Sequence, residues 1–456
     1  MTVSLPAMLH DVVRKYDLRV PRYTSYPTAP HFGTGVDAAA YGAWLAELDR
    51  SEELSLYLHV PFCDRLCWFC GCHTKIVQRY DPVAKYLDAL DREITLVADT
   101  LGEPMPVRHV HWGGGSPSLM RDADWLRLMG HLGERFDFCA DAEIAVELDP
   151  RDVRPETAQT LGRAGINRAS LGVQDFDARV QRAINRVQSF EETERVIGWL
   201  QGAGIAAFNI DLMFGLPHQT ARGIARTAEM AADLGPGRVA LFGYAHVPWM
   251  KANQRLIDEA ALPSADERWD QIEAATAALE GRGYVAIGLD HFAKSTDPLA
   301  VAAKSGRLHR NFQGYTTDTA ATLLGFGASA IGSLPQGYAQ NAAPIRDYMR
   351  AVSSGRFAVT RGIALSEDDR LRREIIERLM CDMEVDVGAA CRRHGVDADA
   401  LAGAFAAIAS LVDDGIAERK HMRVRVTEGG RPFVRLVAAA FDAYLNPGET
   451  RHAKAI

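Results

Sequence analysis

The chain has 456 residues, of which 47% are hydrophobic and 24% charged, an ordinary balance for a globular protein with a sizeable buried core. Its formal net charge of −8 gives no reason to expect nucleic acid or an anionic membrane as partner, so an acidic ligand must be met by local Arg, Lys or His. The N-terminus lacks the apolar core of a signal peptide and no run of eighteen apolar residues occurs, so we expect no membrane insertion and a cytoplasmic location.

The first part of the chain, residues 1–50, is predicted to be an N-terminal arm or lid. Its stretch RVPRYTSYPTAPHF, residues 19–32, is too rich in proline, tyrosine and arginine to propagate a helix or a central strand.

Residues 51–360 are predicted to form a barrel domain with its extension. From about residue 54 to 335 the sequence repeats one pattern, in which a short apolar run is followed by a turn and then by a stretch of helical period. Six such units, with strands LSLYLHV, VRHVHW, EIAVEL, RASLGV, AAFNIDLMFG and VALFGYAHV and a further strand YVAIGL after them, predict an α/β fold with a partial (β/α)6 TIM-like barrel. Chemistry on such a barrel belongs at the carboxyl ends of the strands, where polar and glycine-rich residues collect here.

Residues 361–456 are predicted to form a separate, mainly helical domain. Its first helix follows Ser366, a candidate N-cap with Asp369 three residues on. The later sequence has the pattern of a helix, two strands joined by Glu428-Gly429-Gly430 and another helix, the outline of a winged helix. Because the whole chain is acidic, we expect this unit to pack against the barrel rather than to bind DNA.

Four of the seven cysteines crowd into CDRLCWFCGC, as Cys63, Cys67, Cys70 and Cys72. A helix that buries the first three on one face is opposed by the flanking proline and glycine. A structural zinc site normally needs a second Cys-x2-Cys knuckle, and a thioredoxin-like pair leaves two thiols without a role. The spacing fits best an iron–sulfur cluster that has three thiolate ligands and one open iron.

Polar groups follow several other strands. Gly114, Gly115 and Ser116 in HWGGGSPS either form a tight turn before a helix or bring backbone N–H groups close to a ligand. Four more polar residues lie at or beyond strand ends, and each alone is most simply a structural cap, but together they form a ring suited to ribose hydroxyls and an amino acid moiety: Glu147, Gln174, Arg186 and Asp211.

The Cys-x3-Cys-x2-Cys spacing, with aromatic Phe69 before the last thiol, resembles the signature of the radical S-adenosylmethionine enzymes. Longer stretches over residues 16–385 are similar to one branch of them, the oxygen-independent coproporphyrinogen III oxidases: PRYTSYPT, LYLHVPFC, HWGGGSPS, GYAHVPW, DHFA, LHRNFQGYTT and LRREIIERLMCD.

The resemblance implies that a 4Fe-4S cluster reductively cleaves S-adenosylmethionine to a 5′-deoxyadenosyl radical. The radical removes a hydrogen from the β-carbon of a propionate, CO2 leaves, and a vinyl group remains once an electron passes to an acceptor. Two such events convert coproporphyrinogen III to protoporphyrinogen IX. The cofactor carries this chemistry, while the protein positions and shields the reacting groups.

The resemblance also implies roles for single residues. Cys63, Cys67 and Cys70 would ligate the cluster, and Tyr57 would have a catalytic role. Cys72, which is surplus to a three-ligand cluster, would be either a packed thiol or a catalytic relay of hydrogen or electrons near the radical. One S-adenosylmethionine on the cluster would be lined by Tyr57, Gly114, Glu147 and Ile331. A second S-adenosylmethionine site would be lined by Phe69, Gly115, Ser116, Gln174, Arg186, Asp211 and Ala245. Candidates for binding the tetra-anionic substrate are Arg19, Arg22, His309, Arg310 and Gln313, since carboxylates favour the planar fork of arginine.

Two other functions remain open at this point. A haem-binding chaperone with the same radical fold typically lacks a counterpart of Cys72, the PRYTSYPT arm and the GYTT segment, and all three are present here. Another porphyrin-modifying radical enzyme would share the cluster and loops. The expected partners are the small-molecule substrate and an unidentified electron donor and acceptor, and we expect a monomer.

Overall fold

A computed structural model describes residues 11–16 and 18–445, so the outermost residues of the predicted arm and C-terminal domain lie outside the described part. The helices with described bounds are Ala38–Ala46, Asp81–Leu101, Asp122–Arg135, Pro155–Arg163, Ala178–Ala183, Phe190–Gly202, Ala221–Asp233, Ala265–Gly281, Pro298–Lys304, Ile345–Ser353, Glu367–Asp382, Val387–His394, Ala402–Ala407, Ala409–Asp413 and Val434–Ala439. The strands are β1 Leu54–Val60, β2 Phe62–Cys63, β3 Lys75–Ile76, β4 Pro106–Gly114, β5 Asp137–Leu148, β6 Arg168–Gln174, β7 Ala207–Phe214, β8 Arg238–Gly243, β9 Tyr284–Ile287, β10 His291–Lys294, β11 His309–Asn311, β12 Gly314–Thr316, β13 Thr322–Phe326, β14 Ile331–Leu334, β15 Gly337–Asn341, β16 Val359–Ala364, β17 Glu384–Asp386, β18 Ala417–Lys420 and β19 Arg423–Val426.

Most of the strands belong to one large sheet. Strands β1, β4, β5, β6, β7 and β8 are parallel neighbours in that order, which confirms the predicted partial barrel of six strand–helix units. A seventh parallel strand, β13, pairs with β1 on its other side. Antiparallel strands extend the sheet at both edges, and the stretch YVAIGL, in sequence after the barrel strands, forms the edge strand β9.

The alternation of side chains along β7 shows how the barrel separates two environments. Phe208, Ile210 and Leu212 are buried and belong to the main hydrophobic core, whereas Asn209 and Asp211 line a cavity in the barrel interior. Because successive strand residues face opposite sides, the apolar set packs under the outer helices and the polar set lines the lumen.

The first helix of the predicted C-terminal domain begins as predicted, because Ser366 and Asp369 form a reciprocal capping box at the start of helix Glu367–Asp382. The predicted hairpin connection is wrong. Strands β18 and β19 are joined by His421 and Met422, with His421 in the left-handed region at a φ of 54°, and Glu428-Gly429-Gly430 lies after β19. A histidine in that conformation gives no turn signature in the sequence, whereas paired glycines do.

Two parts of the chain that are distant in sequence share a second hydrophobic core. Tyr16, Tyr23 and Tyr26 of the arm are buried in one cluster with Ile375 and Phe433 of the C-terminal domain. The Tyr23 hydroxyl donates to the carboxylate of Asp442 at 3.0 Å. The arm and the C-terminal domain are therefore packed together as one unit.

No helix within residues 11–16 and 18–445 combines the length and the apolar character needed to cross a membrane.

Candidate active site

The cysteine segment leaves β1 as an irregular loop, not as a helix, and polar side chains from distant segments hold it. The Nδ2 group of Asn253 donates to the carbonyls of Cys67, Trp68 and Cys70 at 3.3, 3.1 and 2.9 Å. The neighbouring Gln254 donates through Nε2 to the carbonyl of Phe69 at 2.9 Å. Satisfied carbonyls keep an irregular backbone in one conformation. Neither residue carried a signal in the sequence.

A cavity of about 160 Å³ lies at the carboxyl ends of the barrel strands beside this loop. It brings together twelve of the predicted site residues, namely Cys63, Cys67, Cys70, Cys72, Phe69, Gly114, Gly115, Ser116, Glu147, Gln174, Arg186 and Asp211. We call it the cysteine cavity.

Two arginines place positive charge at the central thiol. Arg151 Nη2 lies 3.3 Å and Arg186 Nη1 lies 3.6 Å from Cys67 Sγ. Both guanidinium groups also bind Asp149, at 2.6 and 2.9 Å. Burial by itself would raise the pKa of Asp149, but Arg186 and Arg151 outweigh it and lower the pKa to about 2. Of this group only Arg186 was a sequence candidate, because Asp149 and Arg151 have the pattern of an ordinary turn after a strand.

The other thiols lie in different electrostatic surroundings. The hydrogen bond from the Cys72 thiol, aided by Lys251 and Arg186, lowers the pKa of Cys70 to about 6 in spite of burial. Burial raises the pKa of Cys63 to about 12, and the neighbouring thiols act in the same direction. Ligation by iron deprotonates cysteine, so a bound metal would override the shift at Cys63.

The donor set fits an iron–sulfur cluster. Three thiols at the expected spacing border one cavity, and guanidinium groups beside them complement the negative charge of a thiolate-bound cluster. Within the described ranges, no three His, Cys, Asp or Glu side chains lie close enough together to ligate a single metal ion. Cysteines that ligate different irons of one cluster do not need to lie within ligand distance of a single metal ion.

Glycine is required where the end of β4 and the residue after it meet their neighbours. A Cβ on Gly115 would lie 2.4 Å from the carbonyl oxygen of Phe62, and one on Gly113 would lie 2.8 Å from Glu147 Oε1. The close approach lets the N–H of Gly114 donate to Glu147 at 3.2 Å. The glycine run therefore positions a carboxylate at the cavity wall, in addition to exposing backbone.

A series of polar side chains in contact with one another extends from Glu147 into the barrel. His111 Nε2 and Glu147 Oε1 are 2.9 Å apart, and the Tyr57 ring stacks on His111 with centroids 5.9 Å apart. The Tyr57 hydroxyl shares a 3.0 Å hydrogen bond with His59 Nδ1. Burial and then the charge of Glu147 raise the pKa of Tyr57 well above its usual value. Tyr57 thus contacts His59 and His111, and it is not among the residues that line the cysteine cavity.

The barrel lumen continues the cysteine cavity. A cavity of about 300 Å³ fills the lumen and shares Glu147, Ser170 and Asp211 with the cysteine cavity. Burial, with the nearby charge of Glu147, raises the pKa of Asp211 to about 7, and hydrogen bonds from Ser170 at 3.1 and 3.2 Å offset part of that rise. The lining that the two spaces share therefore includes one carboxylate with a lowered pKa, Glu147, and one with a pKa near 7, Asp211.

Two predicted cofactor contacts lie elsewhere. The carbonyl of Ala245 accepts a hydrogen bond at 3.2 Å from Gln254, whose amide group also binds the cysteine loop. Ile331 begins β14 and packs against an apolar cluster that contains Phe32 and Tyr338. The structure does not bring either residue to the wall of the cysteine cavity.

The substrate candidates are spread over several places. Gln313 lines the lumen, whereas the Arg19 guanidinium lies 4.8 Å from the ring centre of Trp249. His309 Nδ1 is 3.0 Å from Glu377 Oε1. Arg22 and Arg310 both lie near Asp290, at the side of the barrel that faces the arm and the C-terminal domain.

Comparisons with known proteins agree with this geometry. A family model for the radical SAM superfamily matches residues 57–231, and a model for the HemN C-terminal domain matches residues 365–433. An oxygen-independent coproporphyrinogen III oxidase from Bradyrhizobium diazoefficiens is 50% identical over 96% of this chain and 97% of its own. Its counterpart from Paracoccus denitrificans is 44% identical over 94% of this chain and 95% of its own. The solved structure of coproporphyrinogen III oxidase (HemN) from Escherichia coli, a radical SAM enzyme, is 40% identical and superposes with a TM-score of 0.89 over 94% of this chain and 100% of that chain.

Proposed function

The chain belongs to the family of the oxygen-independent coproporphyrinogen III oxidases, and from this premise we propose that it decarboxylates two propionate side chains of coproporphyrinogen III to vinyl groups without O2. The product is protoporphyrinogen IX. One observation carries the proposal, namely the cysteine cavity, in which three thiols, a glycine loop and two carboxylates meet and which opens into the barrel lumen.

When bound, a 4Fe-4S cluster with an open iron supplies the electron for reductive cleavage of S-adenosylmethionine, which provides the reagent that removes hydrogen from an unactivated C–H bond. We propose that Cys63, Cys67 and Cys70 hold this cluster. Arg151 and Arg186, at 3.3 and 3.6 Å from Cys67 Sγ, favour the thiolate form of that ligand.

For the cofactor, Glu147 offers an anionic acceptor to the methionyl ammonium group, because hydrogen bonds from His111 and Gly114 keep its pKa low against the effect of burial. Gly114 allows close approach of the backbone. We propose Tyr57 and Ile331 as further members of this first site, and Cys72 as a catalytic thiol beside it.

A second S-adenosylmethionine site is proposed beside the first one, from Phe69, Gly115, Ser116, Gln174, Arg186, Asp211 and Ala245. Support comes from the cavity, which gathers all of these residues except Ala245. Ala245 is tied to Phe69 through the amide group of Gln254.

The partners proposed for the chain are separate electron donor and acceptor molecules, and the chain is proposed to act as a monomer divided into the arm, residues 1–50, the barrel, residues 51–360, and the C-terminal domain, residues 361–456. A cytoplasmic location suits a site built from thiols, and all seven cysteines are unpaired.

The test is anaerobic reconstitution of the full chain with iron and sulfide, followed by incubation with S-adenosylmethionine, a reductant and coproporphyrinogen III. We expect 5′-deoxyadenosine and protoporphyrinogen IX to form together, and heat-treated protein serves as the control. Stoichiometric haem binding with no decarboxylated product would instead support the haem chaperone.

A further inference from the structure

A groove of about 700 Å³ lies beside the cysteine segment and shares no lining residue with the barrel lumen. It is bordered by the segment that follows the thiols and by two helices, Asp81–Leu101 and Ile345–Ser353. Most of its lining residues are apolar or basic, namely Phe62, Ile76, Val77, Pro82, Ile345 and Met349 of the first kind and Lys75, Arg79, Lys85 and Arg346 of the second. We call it the basic groove.

The charge of the basic groove is one-sided, because Asp81 is the single acid among its lining residues. The carboxylate of Asp81 already accepts a 2.5 Å hydrogen bond from Arg79. Lys75 and Lys85 are exposed, and neither has an ion pair or a side-chain hydrogen bond within residues 11–16 and 18–445. The side chain of Arg346 is 86% exposed. The groove therefore presents positive charges to whatever approaches it.

Backbone hydrogen bonds join the groove to a proposed cluster ligand. Strands β2 and β3 pair with Phe62 beside Lys75 and with Cys63 beside Ile76. The N–H of Val77 donates to the carbonyl of Cys63 at 2.9 Å. Ile76 lines both the groove and the cysteine cavity, so the two spaces adjoin each other at this residue.

Each cleavage of S-adenosylmethionine in the proposed function consumes one electron, which a partner must supply. The cysteine cavity, of about 160 Å³, admits small molecules and not a protein. Proteins that exchange electrons use small and transient interfaces. Because the rate of electron transfer falls steeply with distance, such a partner has to dock where the thiols are near the surface, and the basic groove adjoins them through Cys63.

Resting on the proposed function, we infer that the basic groove docks a small acidic electron-transfer protein, which delivers one electron to the cluster site by way of β2 and β3. The partner loses one electron and the cluster gains it, and no covalent bond or proton changes place. Apolar residues with charged neighbours are the composition of a protein interface, in which a water-excluding centre has a polar rim.

The charge of the rest of the chain supports an acidic partner of defined orientation. The formal net charge is −8, so most of the protein repels an acidic partner while the basic groove attracts it. Nucleic acid and an anionic membrane also bind lysine and arginine, but neither carries an electron to the thiols. The contact between the groove and Cys63 therefore favours the protein partner.

The experiment mixes the reconstituted full chain rapidly with chemically reduced flavodoxin, a small acidic FMN protein, and follows the loss of cluster absorbance. Lys75→Glu/Lys85→Glu should lower the second-order rate constant about tenfold at low ionic strength, which is the scale of electrostatic steering. The affinity for flavodoxin, measured by calorimetry, should fall in parallel. At about 1 M salt, where the Debye length is about 3 Å, wild type and variant should react equally slowly.

Lys304→Glu/Lys420→Glu is the matched control, because it changes the net charge by the same amount at two exposed lysines outside the groove. It should lower the rate constant less than twofold. Dithionite, a small reductant that needs no docking surface, should reduce wild type and both double variants at similar rates, which shows that each holds its cluster.

Equal slowing of both double variants, an unchanged rate in Lys75→Glu/Lys85→Glu, or a wild type that flavodoxin neither binds nor reduces would each overturn the inference. So would binding of phosphatidylglycerol vesicles or DNA through the same lysines, if the flavodoxin rate does not depend on them. Product formation by wild type with dithionite as the reductant does not require the groove, and it separates failure of this inference from failure of the proposed function.

Discussion

The cysteine cavity and a smaller cavity lined by Arg22, Arg268, Arg435 and Asp290, here called the arginine cavity, are both polar spaces at the barrel, but they are built in opposite ways. Four thiols of the first come from ten consecutive residues, whereas the three arginines of the second come from positions 22, 268 and 435. The difference teaches that a site carried by one loop leaves a motif, while a site made where three parts of the chain meet leaves only scattered residues.

Each cavity has a buried aspartate beside it, and the pKa values of the two aspartates are shifted in opposite directions. Burial and Glu147 raise the pKa of Asp211 to about 7 beside the cysteine cavity. At the arginine cavity, burial would raise the pKa of Asp290, yet Arg310 and its neighbours hold it far below the usual value. Neighbouring charge, not burial, therefore decides which aspartate is ionised.

Removing one thiol should give the largest effect. We expect Cys67→Ala to lose essentially all cluster iron after reconstitution, since two ligands remain and the arginines beside Cys67 lose the thiolate they face. Cluster absorbance and iron content measure this. Cys139→Ala, outside the cysteine cavity, is the control, and Cys72→Ala should keep the cluster largely intact. Full iron retention by Cys67→Ala would contradict the ligand assignment.

Neutralising the aspartate of the arginine cavity should come next. Asp290→Asn leaves cations without their carboxylate and should lower the free energy of unfolding by about 3–5 kcal/mol at pH 7, measured in urea. Because the folded pKa of Asp290 is depressed, its contribution is present above the unfolded pKa near 3.8 and is lost as pH falls below it. The double variant Asp290→Asn/Arg310→Met should lose less than the single one. An equal or greater loss would show that the pair is not coupled.

The aspartate beside the cysteine cavity should respond with the opposite sign. Asp211 is protonated more readily in the folded chain, so wild-type stability should fall as pH rises from about 4 to about 7. Asp211→Asn cannot ionise and keeps the hydrogen bonds of Ser170 possible, so at pH 8 the cofactor-free variant should be more stable by about 3 kcal/mol. Urea unfolding from pH 5 to pH 8 measures the difference. A difference that stays constant with pH would contradict this titration.

The smallest effect should come from removing the side chain that binds the backbone carbonyls of the loop from Cys67 to Cys70. Asn253→Ala removes one amide group from three carbonyls and should cost about 1–2 kcal/mol, seen as faster hydrogen exchange of the loop and slower iron uptake. Asn185→Gly, which removes a single bond to the Leu66 carbonyl and suits the left-handed backbone of this position at a φ of 53°, should change exchange less. Equal effects would mean that the shared amide has no special role.

Much of the fold could be predicted from sequence because it rests on local periodicity. The six parallel strands and the Ser366 capping box depend on residues close together in the chain, and both are confirmed. The hairpin of the C-terminal domain was placed wrongly, because its turn depends on His421 adopting a left-handed conformation that no glycine announces.

The same distinction between local and distant residues applies to the candidate active site. The loops that carry Cys63 and Gly114 were predicted because each motif is continuous in sequence. Asp149, Arg151 and Asn253 were not, because each gains its role only when the fold brings it to the thiols. Arg22 was a candidate because carboxylates favour the planar fork of arginine, and nothing in the sequence links it to Arg268.

The shared core of Tyr16, Tyr23 and Tyr26 with Phe433 has a consequence for synthesis. The arm leaves the ribosome before the surface that buries its tyrosines has been made. Chains fold from the N-terminus as they emerge, so the arm must wait unpacked until the final domain is complete. Arg22 lies next to Tyr23, and a nascent chain therefore acquires its arginine cavity only after Arg435 has emerged.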